Sequence, residues 1–239
     1  MFKNENKITK EFFPIKEFPF KEIFLKHLES IKISDINNLH NLIPKEWMPK
    51  EKVNYINDQD IKFYEYLYKI DEGYSLSSKE GTNKRGNFLK LYDKFVSHLA
   101  HNLFKENLVY QSKPTLRIHI PENMAVGEFH RDRNYNHPIE EINFWVPITE
   151  AKNTNTIWIE SDYDKKDFKP MNLDYGQYLI FDSGLLHGNK LNSEKKTRVS
   201  FDFRIIPSSK WKDDKYKDFS SISKKKKFVI GDYYEITNI

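Results

Sequence analysis

Along roughly the first hundred residues the apolar side chains recur with a helical period. Phe20, Ile23, Phe24 and Leu28 fall three or four residues apart, as do Phe63, Tyr66, Leu67 and Ile70, and then Phe88, Leu91, Phe95, Leu99 and Leu103. Such spacing gathers each set on one side of a helix, so about three or four amphipathic helices are predicted here. Between them, residues 75–87 are polar, contain Gly81 and Gly86 and have no period, which reads as a loop.

From Thr115 the period changes to two. Leu116, Ile118 and Ile120 alternate with Arg117 and His119, and Val199, Phe201, Phe203 and Ile205 alternate with Ser200, Asp202 and Arg204. Further short strands fit 127–132, 140–147, 156–160, 177–182 and 185–189, with Pro, Gly, Asn and Asp between them. About eight antiparallel strands, preceded by helices able to cover one apolar face, predict a mainly β fold with N-terminal helices. The expected architecture is a double-sheet jelly roll whose polar inner face lines a pocket. A single domain is expected: a helical part over 1–113, a β core over 114–207 and an extension over 208–239. In the extension the Lys-rich run at 221–227 reads as a solvated turn, and 228–234 as an edge strand or a closure over the mouth.

Composition narrows the classes. Apolar residues make up only 38% of the 239, but aromatics reach 15%, so a core can be built from fewer, larger side chains. No apolar run approaches the length needed to span a bilayer, and the first residues lack the apolar stretch of a signal peptide. A cytoplasmic protein with no membrane partner is therefore expected. The formal charge of +4 is small and scattered, which argues against a nucleic-acid partner. With no cysteine, disulfides and thiolate chemistry are excluded, and any metal must be held by His and carboxylate.

Only six of the 39 cationic residues are Arg, and five of them, Arg117, Arg131, Arg133, Arg198 and Arg204, lie within the β region. Arg is the residue for bidentate recognition of carboxylate or phosphate. In the same region His130 and Asp132 stand two apart on an expected strand, so both project from one face, and His187 lies on a later strand that a jelly roll can bring alongside. Two His and one carboxylate on one face of an ion leave positions open, the arrangement suited to Fe(II) that must also take a co-substrate and O2. Eleven residues after His187, Arg198 and Ser200 share a strand face and can take a terminal carboxylate by a guanidinium contact and a hydroxyl hydrogen bond.

The order His-x-Asp, distal His, then Arg-x-Ser resembles the Fe(II)/2-oxoglutarate-dependent dioxygenases, within them the phytanoyl-CoA-hydroxylase-like and streptomycin-biosynthesis StrG-like branch. The likeness runs over roughly 114–207, in PTLRIHIP (114–121), GEFHRDRNYNHPIEEINFWVPIT (127–149), NTNTIWIES (153–161), YGQYLIFDSGLLHGN (175–189) and KTRVSFDFRIIP (196–207). The resemblance implies a double-stranded β-helix and oxidative decarboxylation of 2-oxoglutarate to succinate and CO2, coupled to hydroxylation of a small molecule such as a sugar, nucleotide sugar or other biosynthetic intermediate. It implies His130, Asp132 and His187 as iron ligands and Arg198 and Ser200 on the co-substrate carboxylate. Asp132 also argues against a halogenase, in which a small residue takes that place. The alternatives are a metal-dependent cupin isomerase or epimerase, which has no need of Arg198 and Ser200, and a non-catalytic jelly-roll binding module, against which the intact His130, Asp132 and His187 speak.

Other positions are candidates by strand parity. Asn143, Thr156 and Arg117 are candidates for contact with the co-substrate, and Arg133, Trp145, Trp158, Glu160 and Asn189 for contact with substrate at the rim. Glu128 shares the parity of His130, with a cross-strand pair to Arg204 as its structural alternative. His119 is a candidate for a polar layer under the co-substrate, and His137 reads as a loop residue.

Overall fold

The computed structural model describes residues 7–29, 34–42, 85–124, 128–222 and 225–239. The helical pattern at Phe63–Ile70 lies outside these, as does all but the end of the 75–87 loop.

Among the described residues the chain forms β1 (Ile8–Phe12), α1 (Phe20–Glu29), α2 (Leu39–Leu42), α3 (Asn87–Leu99), β2 (Leu108–Gln111) and β3 (Thr115–His119). These are followed by β4 (Ile142–Pro147), β5 (Trp158–Ile159), β6 (Lys169–Pro170), β7 (Gln177–Asp182), β8 (His187–Gly188), β9 (Arg198–Pro207), α4 (Asp213–Tyr216) and β10 (Tyr234–Ile236). α3 continues through a wider π turn, Ala100–Phe104, until Lys105 takes a left-handed φ of 60° and ends it. The strands build two antiparallel sheets. The larger has the order β1-β7-β4-β9-β2-β10 with β3 also paired to β9, and the smaller the order β6-β5-β8. This is a double-stranded β-helix, the fold class expected. The N-terminal part is not wholly helical, because β1 and β2 belong to the larger sheet. The final segment does add an edge strand, β10 against β2, and its Phe228, Tyr233 and Tyr234 pack on Val109 and Ile206.

The period of two decides what lies on each side of the larger sheet. Phe144 and Val146 of β4, Tyr178 and Ile180 of β7, and Val199, Phe201, Phe203 and Ile205 of β9 join Phe20, Phe24, Phe88, Tyr92 and Phe95 in one core beneath α1 and α3. Burying each such side chain stabilises the fold by about 1.5–3 kcal/mol, enough in sum to dictate the sheet's register. The opposite residues, Asn143 and Trp145, Leu179 and Phe181, and Arg198, Ser200, Asp202 and Arg204, are thereby turned between the two sheets. In the smaller sheet the apolar Ile157 and Ile159 face inward, packing in a second core with Trp145, Leu179 and Phe181. No helix among the described residues is long and apolar enough to cross a membrane.

Candidate metal centre

The two histidines meet through their backbones. His130 N donates to His187 O at 2.9 Å and His187 N to His130 O at 3.0 Å, so both side chains leave the same face, with ring centroids 4.6 Å apart. Gly188 permits this approach: a Cβ there would lie 3.0 Å from the Cα of Phe129. Nδ1 of His130 lies 2.8 Å from Glu128 O, and Nδ1 of His187 lies 2.9 Å from Leu185 O. A carbonyl can only accept, so each Nδ1 carries the proton and each Nε2 presents its lone pair to the space between the sheets.

Asp132 reaches that space differently from the strand expected over 127–132. Pairing stops at the isolated His130–His187 bridge, and Asp132 opens a 3-10 turn, Asp132–Tyr135, closed by Asn136 at φ 66°. Its Oδ1 lies 3.6 Å from His130 Nε2 and 4.0 Å from His187 Nε2. Its Oδ2 accepts hydrogen bonds from Asn143 Nδ2 at 2.8 Å and Arg204 Nε at 3.1 Å. One carboxylate oxygen is thus held by protein donors while the other faces the imidazoles. One ligand atom from each of His130, Asp132 and His187 falls within 4.8 Å of the others. Burial pushes the Asp132 carboxyl up, but the Arg204 guanidinium and the adjoining imidazoles prevail and hold it well below the usual carboxylate range. Burial, then the neighbouring His130, lowers His187 to about 4. At neutral pH the set therefore offers a carboxylate and a neutral buried imidazole, the protonation states a metal requires.

A cavity open to solvent on one side surrounds these groups and is lined by Arg117, Asn143, Trp145, Asn189, Arg198 and Arg204 among others. Arg198 is almost fully buried. It donates from Nε to Asn155 O at 2.9 Å, from Nη1 to Ser200 Oγ at 2.7 Å and from Nη2 to Asn189 Oδ1 at 2.9 Å, and it lies 5.6 Å from the centre of the Trp145 ring. His119 supports it from below: Nη2 of Arg198 is 3.4 Å from His119 Nδ1, while Nε2 of His119 donates to Asn123 O at 2.8 Å. Asp202 takes Arg117 on one oxygen at 2.8 Å and Arg204 on the other at 3.0 Å, so it is not the partner of Arg198.

The sequence-derived candidates divide accordingly. His130, His187, Asn143, Trp145, Arg117, Arg198 and Asn189 line one cavity, with Asp132 beside the two imidazoles and Ser200 bonded to Arg198. Thr156, Trp158 and Glu160 do not join them, because Ile157 and Ile159 claim the inner face of β5 and turn their neighbours outward. The Thr156 hydroxyl donates to Met171 O at 2.6 Å, and the Trp158 indole donates to Asn153 O at 3.1 Å beneath the ammonium of Lys190. Glu160 is not a rim charge: it is fully buried and accepts from Leu186 N and Arg131 Nη2. Arg133 is turned to Asp182 at 3.0 Å and is not among the residues lining the cavity. Glu128 is exposed and contributes its carbonyl, while Arg204 is paired to Asp132 and Asp202 instead. His137 is held by Glu141 at 2.8 Å, against Phe228 and Tyr233. The bond from Arg204 to Asp132 was not foreseen, although Arg204 shares the parity of Arg198 and Ser200 on β9.

The residues fit a divalent ion and a polar chelating ligand. Besides the one-sided carboxylate and the two aligned imidazoles, the Trp145 Nε1–H and the Asn143 Oδ1 are buried without any hydrogen-bond partner. Both belong to residues of the cavity, and buried polar atoms of this kind are ordinarily satisfied. A bound polar molecule would satisfy them.

The chain is thus a double-stranded β-helix that carries a candidate His–Asp–His metal set between its sheets. No family model matches the chain. The streptomycin biosynthesis protein StrG of Streptomyces griseus is 38% identical to it over 141 residues, a stretch covering 57% of this chain and 66% of StrG, just under two thirds of that protein's length. Among solved structures, the nickel complex of the non-heme monooxygenase ThoJ aligns with 85% of this chain and 74% of its own at 13% identity and a TM-score of 0.46. CytC3 with Fe(II) and 2-oxoglutarate aligns with 90% and 80% at 13% identity and a TM-score of 0.44.

Proposed function

We propose that the chain is an Fe(II)/2-oxoglutarate-dependent dioxygenase that hydroxylates a small-molecule biosynthetic intermediate, of the sugar, nucleotide-sugar or secondary-metabolite kind. The observation that carries this reading is the convergence of the His130–Asp132–His187 set and the buried Arg198–Ser200 pair on one cavity. Iron bound there would supply O2 activation coupled to decarboxylation of 2-oxoglutarate. The rest is work for the protein's own side chains. His130, Asp132 and His187 would hold the ion, and because Asn143 and Arg204 occupy Oδ2 of Asp132, that carboxylate would bind through Oδ1 alone. Arg198 and Ser200 would take the far carboxylate of 2-oxoglutarate, with Asn143 and Trp145 beside it and Arg117 fixed on Asp202 at the wall. Ile157 and Phe181 would keep water from the reacting side of the cavity, and Asn189 would stand between co-substrate and substrate. The substrate class draws support from the StrG likeness, since that protein is named for the biosynthesis of streptomycin.

The test is anaerobic titration of metal-free protein with Fe(II) and then 2-oxoglutarate. A weak visible charge-transfer band of a chelated 2-oxo acid is expected, followed by screening of candidate metabolites for succinate release. Iron binding with no band would defeat the oxygenase reading in favour of a cupin isomerase or a binding module.

A further inference from the structure

The residue between His130 and Asp132 is Arg131, and alternation sends its side chain away from the ligand face. It does not reach solvent unengaged. Its Nε donates to Gly184 O at 2.8 Å, and its Nη2 donates to Glu160 Oε1 at 2.9 Å and to Asp164 Oδ1 at 2.9 Å. Asp164 is largely exposed, so that bond adds little. Glu160 is the opposite case: its carboxylate is wholly buried, and the same Oε1 accepts from Leu186 N at 2.7 Å, while Glu160 N donates to Leu186 O at 3.1 Å. Oε2 is taken by Lys166 N at 3.2 Å. Leu186 immediately precedes His187, and Gly184 lies three residues before it. A continuous path therefore runs from the His130–Asp132 segment through the guanidinium of Arg131 to a buried carboxylate and on to the His187 segment.

We propose that Arg131 and Glu160 are positioning residues of the metal centre: a charge-assisted clamp on the outer side of the smaller sheet that fixes His187 relative to His130 and Asp132. The proposal rests on the metal-centre reading above. Backbone pairing joins His130 to His187 at one point only, beyond which Asp132 N reaches Ser183 O at 3.2 Å. Two short segments joined so sparsely could pivot, whereas a metal site needs its ligands held to within about half an ångström. The planar guanidinium bonds two acceptors in fixed directions, which Lys could not do. It explains why a chain that otherwise uses Lys places Arg between its two ligands.

The experiment is Co(II) titration of metal-free wild-type, Arg131→Met and Glu160→Gln proteins, without co-substrate, followed by ligand-field absorption. Arg131→Met keeps an unbranched apolar stem but removes all three bonds, and should weaken Co(II) binding by about 10- to 100-fold. Its Co(II) bands should shift and its thermal midpoint should fall, because buried Glu160 loses its cationic partner, while far-UV circular dichroism of the metal-free protein stays near wild type. Glu160→Gln retains an acceptor for Leu186 N and should show a smaller loss in the same direction. Co(II) affinity within about twofold of wild type and unshifted bands in Arg131→Met would overturn the clamp, being well below the loss expected of an outer-sphere partner. If Arg131→Met does not fold, Glu160→Gln decides alone, and wild-type affinity with a wild-type spectrum there overturns the proposal. A wild-type protein that takes up no Co(II) overturns the metal-centre reading itself, and is told apart because the failure then appears before any substitution.

Discussion

Replacing Arg198 by Met should separate co-substrate binding from metal binding. The guanidinium is almost completely buried and is aimed by Asn155 O, Ser200 Oγ and Asn189 Oδ1, so as the proposed anchor it would pay little ordering entropy on binding a carboxylate. Removing one partner of a buried, hydrogen-bonded charge pair costs about 3–5 kcal/mol. At about 1.4 kcal/mol per decade this raises the 2-oxoglutarate dissociation constant roughly a hundred- to a few-thousand-fold. The hydrogen bonds described for Arg198 reach none of His130, Asp132 or His187, so Fe(II) affinity should stay within about threefold of wild type, a difference under 1 kcal/mol. The assay is the anaerobic charge-transfer band, titrated with 2-oxoglutarate at saturating Fe(II), beside a Co(II) titration of the same protein. A 2-oxoglutarate affinity within about threefold of wild type would refute the assignment. The same large loss in Arg117→Met instead would move the anchor to Arg117.

Asp132→Ala should bind no Fe(II) at micromolar protein and release no succinate while keeping a native circular dichroism spectrum; full turnover in anaerobically reconstituted protein would dismiss the triad. Burial, and then the adjacent Arg198, lower His119 to about 3, so below about 6.5 the unfolded chain takes up a proton that the folded chain refuses, and stability is lost as pH falls from 6.5 towards 3. Between pH 7 and pH 5 this residue alone removes about 2 kcal/mol, so His119→Gln should show a urea-unfolding loss smaller by that amount, and equal losses in both proteins would contradict it. Trp145→Phe deletes the buried indole N–H that has no protein partner; 2-oxoglutarate binding should weaken about 2- to 10-fold, the worth of one hydrogen bond, with Co(II) affinity unchanged. An unchanged 2-oxoglutarate affinity would assign that N–H to something other than the co-substrate.

The larger sheet was legible because each of its long strands has a single strong reason for its parity. In β9 four apolar side chains alternate with Arg198, Ser200, Asp202 and Arg204, and only one register buries the first set under the helices. β7 runs over the very residues outlined by its apolar run Tyr178–Phe181 between Gln177 and Asp182. The short pieces carried no such signal. β1 pairs with a strand some 170 residues later, and five residues reading Ile-Thr-Lys-Glu-Phe do not announce so distant a partner. Asp132 comes beside the two histidines through a turn and not along the expected strand, the turn after Arg131 being fixed by the backbone bond to Ser183. Strand parity alone points Thr156, Trp158 and Glu160 to the mouth. A polar residue is placed inward only where a second apolar layer claims the alternate positions, and β5 has Ile157 and Ile159 facing in.

The same logic accounts for the arginines. Asp132, Arg204, Asp202 and Arg117 form an unbroken alternation of charge across the inner face of β9 and its neighbours, at spacings of 3.1, 3.0 and 2.8 Å. In the proposed metal centre a buried carboxylate could not be left to water for its orientation, nor fully neutralised, or it would lose its attraction for the ion. Arg204 meets both demands by dividing itself between two aspartates, and Arg117 restores the balance at the far end. A Lys at 204 could offer one point charge to one of these oxygens but could not bridge Asp132 and Asp202 in fixed directions. Four of the five arginines of the β region, Arg117, Arg131, Arg133 and Arg204, are thus fixed on carboxylates, while the hydrogen bonds described for Arg198 go to a carbonyl, a hydroxyl and an amide oxygen.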